Sequence, residues 1–422
     1  MQKYFLTLPV QCVNPMKEGD FKKLFSIPVI VAALGYFVDI YDLLLFSIVR
    51  IPSLRGLGVP DAALFDQGEF LLRVQMGGLL VGGIIWGIMG DKRGRLSVLF
   101  GSILLYSLAN IANGFVTSVD QYAWLRFIAG IGLAGELGAG ITLVSEVLPT
   151  RLRGYGTTLV ASVGLLGAVL ANVVAKHFDW QVAYFIGGGL GLLLLLARVS
   201  VFESGMFLTL KQQTVERGNF ISLFTSFDRF KRFVNCILIG LPIWFTIGIL
   251  ITFSPEFSQE IGILNPIVAG DAVMFSYLGL VAGDMSSGLL SQWFRSRKKI
   301  VFVFILLTLG FVLLYLYPPI ATDTFFYFTC FCLGFGVGYW ALFVTIAAEQ
   351  FGTNLRSTVA TTVPNFIRGT VVPLTFAFKL LRDDTGILIG ALIVGVATIL
   401  IALVALRSLQ ETFGRELNFV ED

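Results

Sequence analysis

Between residues 87 and 95 the chain reads GIMGDKRGR, and this stretch decides the fold. It closes an apolar run, residues 74–89, in an abrupt block of charge. Asp91, Lys92, Arg93 and Arg95 sit around Gly90 and Gly94, and a second apolar run, residues 96–112, begins at once. Two such runs joined by so short a basic turn read as consecutive membrane-spanning helices, linked on one face of a bilayer. Asp91 can cap the start of the following helix, and the cations can bind carboxylates at neighbouring helix ends. A bias that merely fixes orientation needs cations alone. Here Gly87, Asp91, Gly94 and Arg95 are spaced as well.

The rest of the composition agrees. The chain has 422 residues, of which 14% are charged, and a mean hydropathy of +0.84. A soluble protein of this length needs far more polar surface. Forty-six glycines suit close helix packing in lipid, and 39 phenylalanines suit a lipid-facing or cavity-lining role. Cys330-x-Cys332 is not a zinc spacing, and a lone His177 excludes a histidine-rich metal site. Nothing reads as a P-loop, so direct ATP hydrolysis is not expected. No catalytic triad is evident. The expectation is a protein that is not an enzyme, with no cofactor, no metal and no nucleic-acid partner. Residues 1–26 lack the order of a cleavable leader.

Working outward, apolar runs recur near residues 27–49, 68–90, 96–113, 120–147, 156–176 and 181–203. After a polar stretch they resume near 233–254, 268–293, 299–317, 324–348, 358–380 and 385–407. The predicted fold is all-α: twelve transmembrane helices in two six-helix bundles. The expected organisation is a cytoplasmic segment 1–26, a first bundle 27–203, a central loop 204–232, a second bundle 233–407 and a tail 408–422. Lys and Arg concentrate on the side of the 87–95 turn, which predicts both termini in the cytoplasm. No added soluble domain fits the short linkers, and a monomer in a plasma membrane, the inner membrane of a bacterium, is expected.

An internal repeat supports two related halves. Glu146 precedes Arg153 by seven residues and Glu349 precedes Arg356 by seven, each pair followed by a small residue and a new span. After the eighth span, Gly288, Gln292, Arg295 and Arg297 partly repeat the 87–95 pattern with Gln in place of Asp. The second turn should therefore be the weaker.

Ionisable groups inside a membrane mark function by default. Asp39 and Asp42 lie three apart on one helical face. Two carboxylates so close cannot both stay ionised at low dielectric, which is the behaviour a proton carrier requires. Arg126 and Glu136 lie about 15 Å apart along the fourth span, joined by a glycine-rich run. Arg368, between Pro364 and Pro373 and near Asn365, suits a carboxylate clamp. Asp284 could bind substrate or neutralise Arg368, and Arg73 could bind or snorkel to the surface. Trp244, Tyr339 and Trp340 could line a central cavity or simply pack.

The 87–95 spacing resembles the signature loop between helices two and three of the major facilitator superfamily. Arg126-x-x-x-Gly-x-Gly, continuing to Arg153-Gly154, resembles the fourth helix of its proton-linked members. The Asp39-x-x-Asp42 stretch is similar to that of aromatic-acid–proton symporters, with Ile40 where those carry Gly. In the fourth-helix stretch the resemblance is closest to sugar porters, organic ion transporters and metabolite–proton symporters. The resemblance implies alternating access around a central cavity, with small-molecule substrate and protons as partners. It implies that Asp42 and Arg126 form a pair opened by protonation; Asp39 and Glu136, from their place inside the spans, are further candidate proton sites or structural partners. It also implies that Gly87, Asp91, Lys92, Gly94 and Arg95, with Glu146, Arg153, Glu349 and Arg356, latch the inner side. The expected function is proton-coupled symport of a small organic anion. A sugar or cation uniporter or exporter, and a non-transporting receptor, are the alternatives.

Overall fold

The computed structural model describes residues 23–93, 95–136, 144, 147–148, 150–202 and 220–414. The first half begins with α1 (Ile27–Gly56), α2 (Leu64–Arg93) and α3 (Arg95–Asn113). It continues with α4 (Val119–Leu133), α5 (Thr150–Leu165), α6 (Gly167–His177) and α7 (Trp180–Phe202). The second half holds α8 (Phe227–Leu238), α9 (Leu241–Phe245), a π-helical turn (Thr246–Ile251), α10 (Ser254–Ile261), α11 (Ala269–Trp293) and α12 (Arg297–Leu316). It closes with α13 (Asp323–Gly336), α14 (Trp340–Glu349), α15 (Thr353–Gly369), α16 (Val371–Thr385) and α17 (Ile387–Ser408). Nine helical stretches among the described residues are long and apolar enough to cross a membrane.

Local chemistry sets the helix ends. Pro28 opens α1, where a missing N–H is harmless. The hydroxyls of Ser118, Ser296 and Thr322 accept the backbone N–H of Gln121, Lys299 and Phe325, so that α4, α12 and α13 start capped. Glu411 adds a second cap to α12 by accepting from the N–H groups of Arg297 and Lys298 at 3.1 and 3.2 Å. Partial burial pushes its carboxyl up. The Ser296 hydroxyl and the N–H groups of Phe413, Arg297 and Lys298 outweigh that and hold it below the usual carboxylate range.

Several expected spans are broken helices. The tenth span stops at Gly336 and restarts at Trp340, and the eleventh breaks at Thr370, two residues after the buried Arg368. The first span runs on to Gly56, past the expected end, and so carries Arg50 into the bundle. The 87–95 stretch also differs: α2 stays helical through Arg93 and α3 starts at Arg95. The charged block thus lies on helical backbone rather than in an open turn.

The interior is largely apolar, yet the outer surface is apolar too and a few charges are buried. Leu108, Trp124, Leu196, Leu400 and Val404 are exposed, while Asp39, Asp42, Arg126, Glu136 and Arg368 are buried. Helices α11 and α13–α14 approach at glycines: a side-chain carbon on Gly338 would meet the backbone of Gly283.

Candidate functional site

The two halves meet around a small cavity. Tyr36, Ile40 and Leu43 of α1 and Leu165 of α5 line it from the first half. The second half contributes Ile243, Trp244, Ile247, Tyr277, Leu280, Trp340 and Arg368. The cavity measures ≈ 20 Å³, room for about one water molecule. Arg368 is the charged member of this lining. Its guanidinium lies 5.9 Å from the Trp244 ring centre and 6.0 Å from that of Trp340, within cation–π range. Its Nη2 is 3.7 Å from Oδ2 of Asp39, across the boundary between the halves. Its Nε and Nη1 have no hydrogen-bond partner, and neither does the indole N–H of Trp244.

The structure revises several expected partnerships. Arg368 does not neutralise Asp284. Asp284 instead accepts the N–H of Ala341 at 3.0 Å, capping α14 where the tenth span restarts. Broken helices leave orphan N–H groups, and this carboxylate satisfies one of them. Arg126 makes no direct ion pair with Asp42: it donates to Asn110 at 3.3 Å and lies over Phe46 and Tyr184. Both carboxylate oxygens of Asp42 are buried without a hydrogen bond. Glu136 is held by Arg198, with Nη1 to Oε2 at 3.1 Å. Tyr339 does not line the cavity; its hydroxyl donates to the Ile239 carbonyl at 3.1 Å. Asn365 bridges the halves by donating to the Ala134 carbonyl at 2.8 Å. Arg73 stays near the end of the bundle, 3.6 Å from Glu69.

Sequence reasoning missed Arg198, Arg50, Glu69 and Glu256. Arg198 lies inside the sixth apolar run, so its position was a sufficient signal. The others belong to a cluster that joins the halves at the end opposite the 87–95 stretch. There Arg50, fully buried, reaches Glu256 at 2.6 Å. Arg382 contacts Asp66 at 2.8 Å and Glu69 at 3.7 Å, and Lys176 contacts Asp271 at 2.5 Å.

At the other end, Gly87 packs toward Thr362 of the second half. Glu349 contacts Arg297 at 2.8 Å, so the degenerate second turn still brings a cation to a carboxylate. Gly94, Glu146 and the side chains of Asp91, Lys92, Arg95, Arg153 and Arg356 lie outside the described residues. Among the described residues no group of three or more His, Cys, Asp or Glu side chains could hold a metal ion.

Helices from both halves of the chain thus enclose a buried cavity lined by one arginine and several aromatic rings. The family profile described as Major Facilitator Superfamily matches residues 32–369, and the chain belongs to that superfamily. It is therefore an integral membrane transporter rather than an enzyme. It is 28% identical to the probable 4-methylmuconolactone transporter of Cupriavidus pinatubonensis, over 82% of this chain and 79% of that protein. It is 28% identical to the sialic acid transporter NanX of Escherichia coli, over 68% of each. A 30% match to the niacin transporter NiaP of Acinetobacter baylyi spans only 37% of this chain and 36% of that protein.

Proposed function

We propose that this chain is a proton-coupled symporter of a small organic anion, working by alternating access. The observation that carries the reading is Arg368: a buried guanidinium between two tryptophans, with two nitrogens that donate to nothing. A guanidinium with unused donors, beside two tryptophan rings, suits a carboxylate on a flat apolar body. Niacin and sialic acid, named for two relatives, both carry a carboxylate at neutral pH. The proton rides on the acid pair of α1, Asp39 and Asp42, with Arg126 as the nearby cation. Trp244, Trp340 and Arg368 form the substrate wall. The 87–95 stretch, with Glu146, Arg153, Glu349 and Arg356, latches the cytoplasmic side. Arg50–Glu256 and the Arg382 cluster close the opposite side. Both termini face the cytoplasm of a bacterial inner membrane, and the working unit is the monomer.

The test is proton movement into proteoliposomes, followed with an impermeant pH dye in the outer medium. Benzoate, nicotinate, a neutral sugar and a quaternary amine are added one at a time. Alkalinisation of the outer medium with the carboxylates alone, abolished by Asp42→Asn, is the expected result. Proton-independent flux of the sugar or the amine would overturn the reading.

A further inference from the structure

We propose that Asp39 occupies Arg368 in place of the substrate, so that a carboxylate binds only as Asp39 takes up one proton. This deepens the organic-anion reading above and rests on it.

The geometry of the Asp39–Arg368 contact is that of a placeholder. At 3.7 Å it is too long for a hydrogen bond, and neither oxygen of Asp39 accepts one. The bundle supplies its own contrast: the equally buried Glu136–Arg198 pair is hydrogen-bonded through both guanidinium Nη groups. A buried pair that stabilises a fold needs such bonds to offset desolvation. Arg368 and Asp39 are held in ionic contact, yet each keeps its hydrogen-bonding capacity unused.

The charge balance gives the coupling. Arg368 and Asp39 together are neutral. An arriving carboxylate that forks onto Arg368 would leave a net negative charge in a nearly water-free site, which is costly. One proton moving onto an oxygen of Asp39 restores neutrality. The balanced step joins the carboxylate anion, one proton and the Asp39–Arg368 ion pair to give a carboxylate–Arg368 ion pair and a neutral Asp39 carboxylic acid. The only covalent bond formed is the O–H of Asp39, and release reverses it.

The other groups facing Asp39 do not supply a rival counter-ion. Glu136 is neutralised by Arg198. Asp42, one turn along the same helix, is a second acid, beside Arg126 and Asn110. Tyr36, Tyr106 and Tyr277 are neutral phenols. Because Asp39 and Arg368 belong to different halves, the exchange also removes a tie between them.

The experiment is calorimetric titration of the purified full-length chain with benzoate at about pH 8, in buffers of differing ionisation enthalpy. The wild-type chain should take up about one proton per benzoate, and its affinity should fall about tenfold per pH unit. Asp39→Asn should bind benzoate with no proton uptake and no such slope. Asp39→Glu should restore the proton. Proton uptake that persists in Asp39→Asn would overturn the assignment while leaving the transport reading intact. So would loss of binding in an Asp39→Asn chain that still melts cooperatively. Failure of the wild-type chain to bind benzoate or nicotinate would overturn the organic-anion reading, and this inference with it.

Discussion

Arg368→Lys separates a guanidinium fork from a mere positive charge. Lysine keeps the charge, so Asp39 is not left unpaired in the membrane interior and the bundle should still assemble. What it loses is geometry. The unpartnered Nε and Nη1 of Arg368 each form a fork of two parallel N–H donors with Nη2, the nitrogen that faces Asp39, whereas an ammonium offers a point charge. A charge-assisted hydrogen bond contributes about 1.5–3 kcal/mol, and lysine can replace one of the two. The planar contact with Trp244 and Trp340 also weakens. A loss of roughly 2–3 kcal/mol corresponds to about 30- to 150-fold in apparent affinity. Counterflow of labelled benzoate in proteoliposomes reads this as a rise in half-saturation, with the exchange rate at saturation far less affected. A half-saturation within twofold of the wild-type value would refute the clamp.

Three further outcomes test other parts of the structure. Glu256→Gln strands the buried Arg50, a cost of about 3–5 kcal/mol that falls on the conformation in which the two halves touch there. A cysteine placed at Ser53 should then react faster with an impermeant maleimide, and an unchanged rate would remove Arg50–Glu256 from the gate. Gly338→Ala drives a methyl into the backbone of Gly283 and should cost about 1–3 kcal/mol in a detergent melt. Gly310→Ala, which faces open space, should not; equal melting of the two would contradict the close packing. Glu411→Gln should weaken the α12 cap by about 1 kcal/mol. Because the folded carboxyl lies below its usual range, this stabilisation is present at neutral pH and lost as pH falls through the folded value. A wild-type-minus-Gln difference that persists at acid pH would argue against it.

The sequence located the buried charges better than it located their partners. Asp39, Asp42, Arg126, Glu136 and Arg368 are all buried where the apolar runs put them. Helical period says which residues share a face, but not which of the other helices that face meets. Hence Arg368 finds Asp39 rather than Asp284, and Arg126 finds Asn110. Asp284 was the hardest to read, because its role depends on a break in another span, at Gly336–Trp340, that hydropathy does not mark. Arg50 was lost to a misplaced boundary: the run loses its continuous apolar character near residue 50, yet the helix runs on to Gly56. The cavity-lining residues Tyr36 and Tyr277 carried no signal, since aromatic side chains at helical spacing are usual in any packed span.

The narrowness of the central cavity has an electrical consequence. A membrane that stores a voltage treats every embedded protein as part of its insulator, and each elementary charge that leaks through forfeits about 2.3 kcal/mol per 100 mV. Protons cross most readily along files of hydrogen-bonded water. A cavity with room for about one water, lined by Trp244, Trp340 and Tyr36, holds too little water for such a file where the two halves meet. In this conformation the contact between the halves therefore belongs to the insulator.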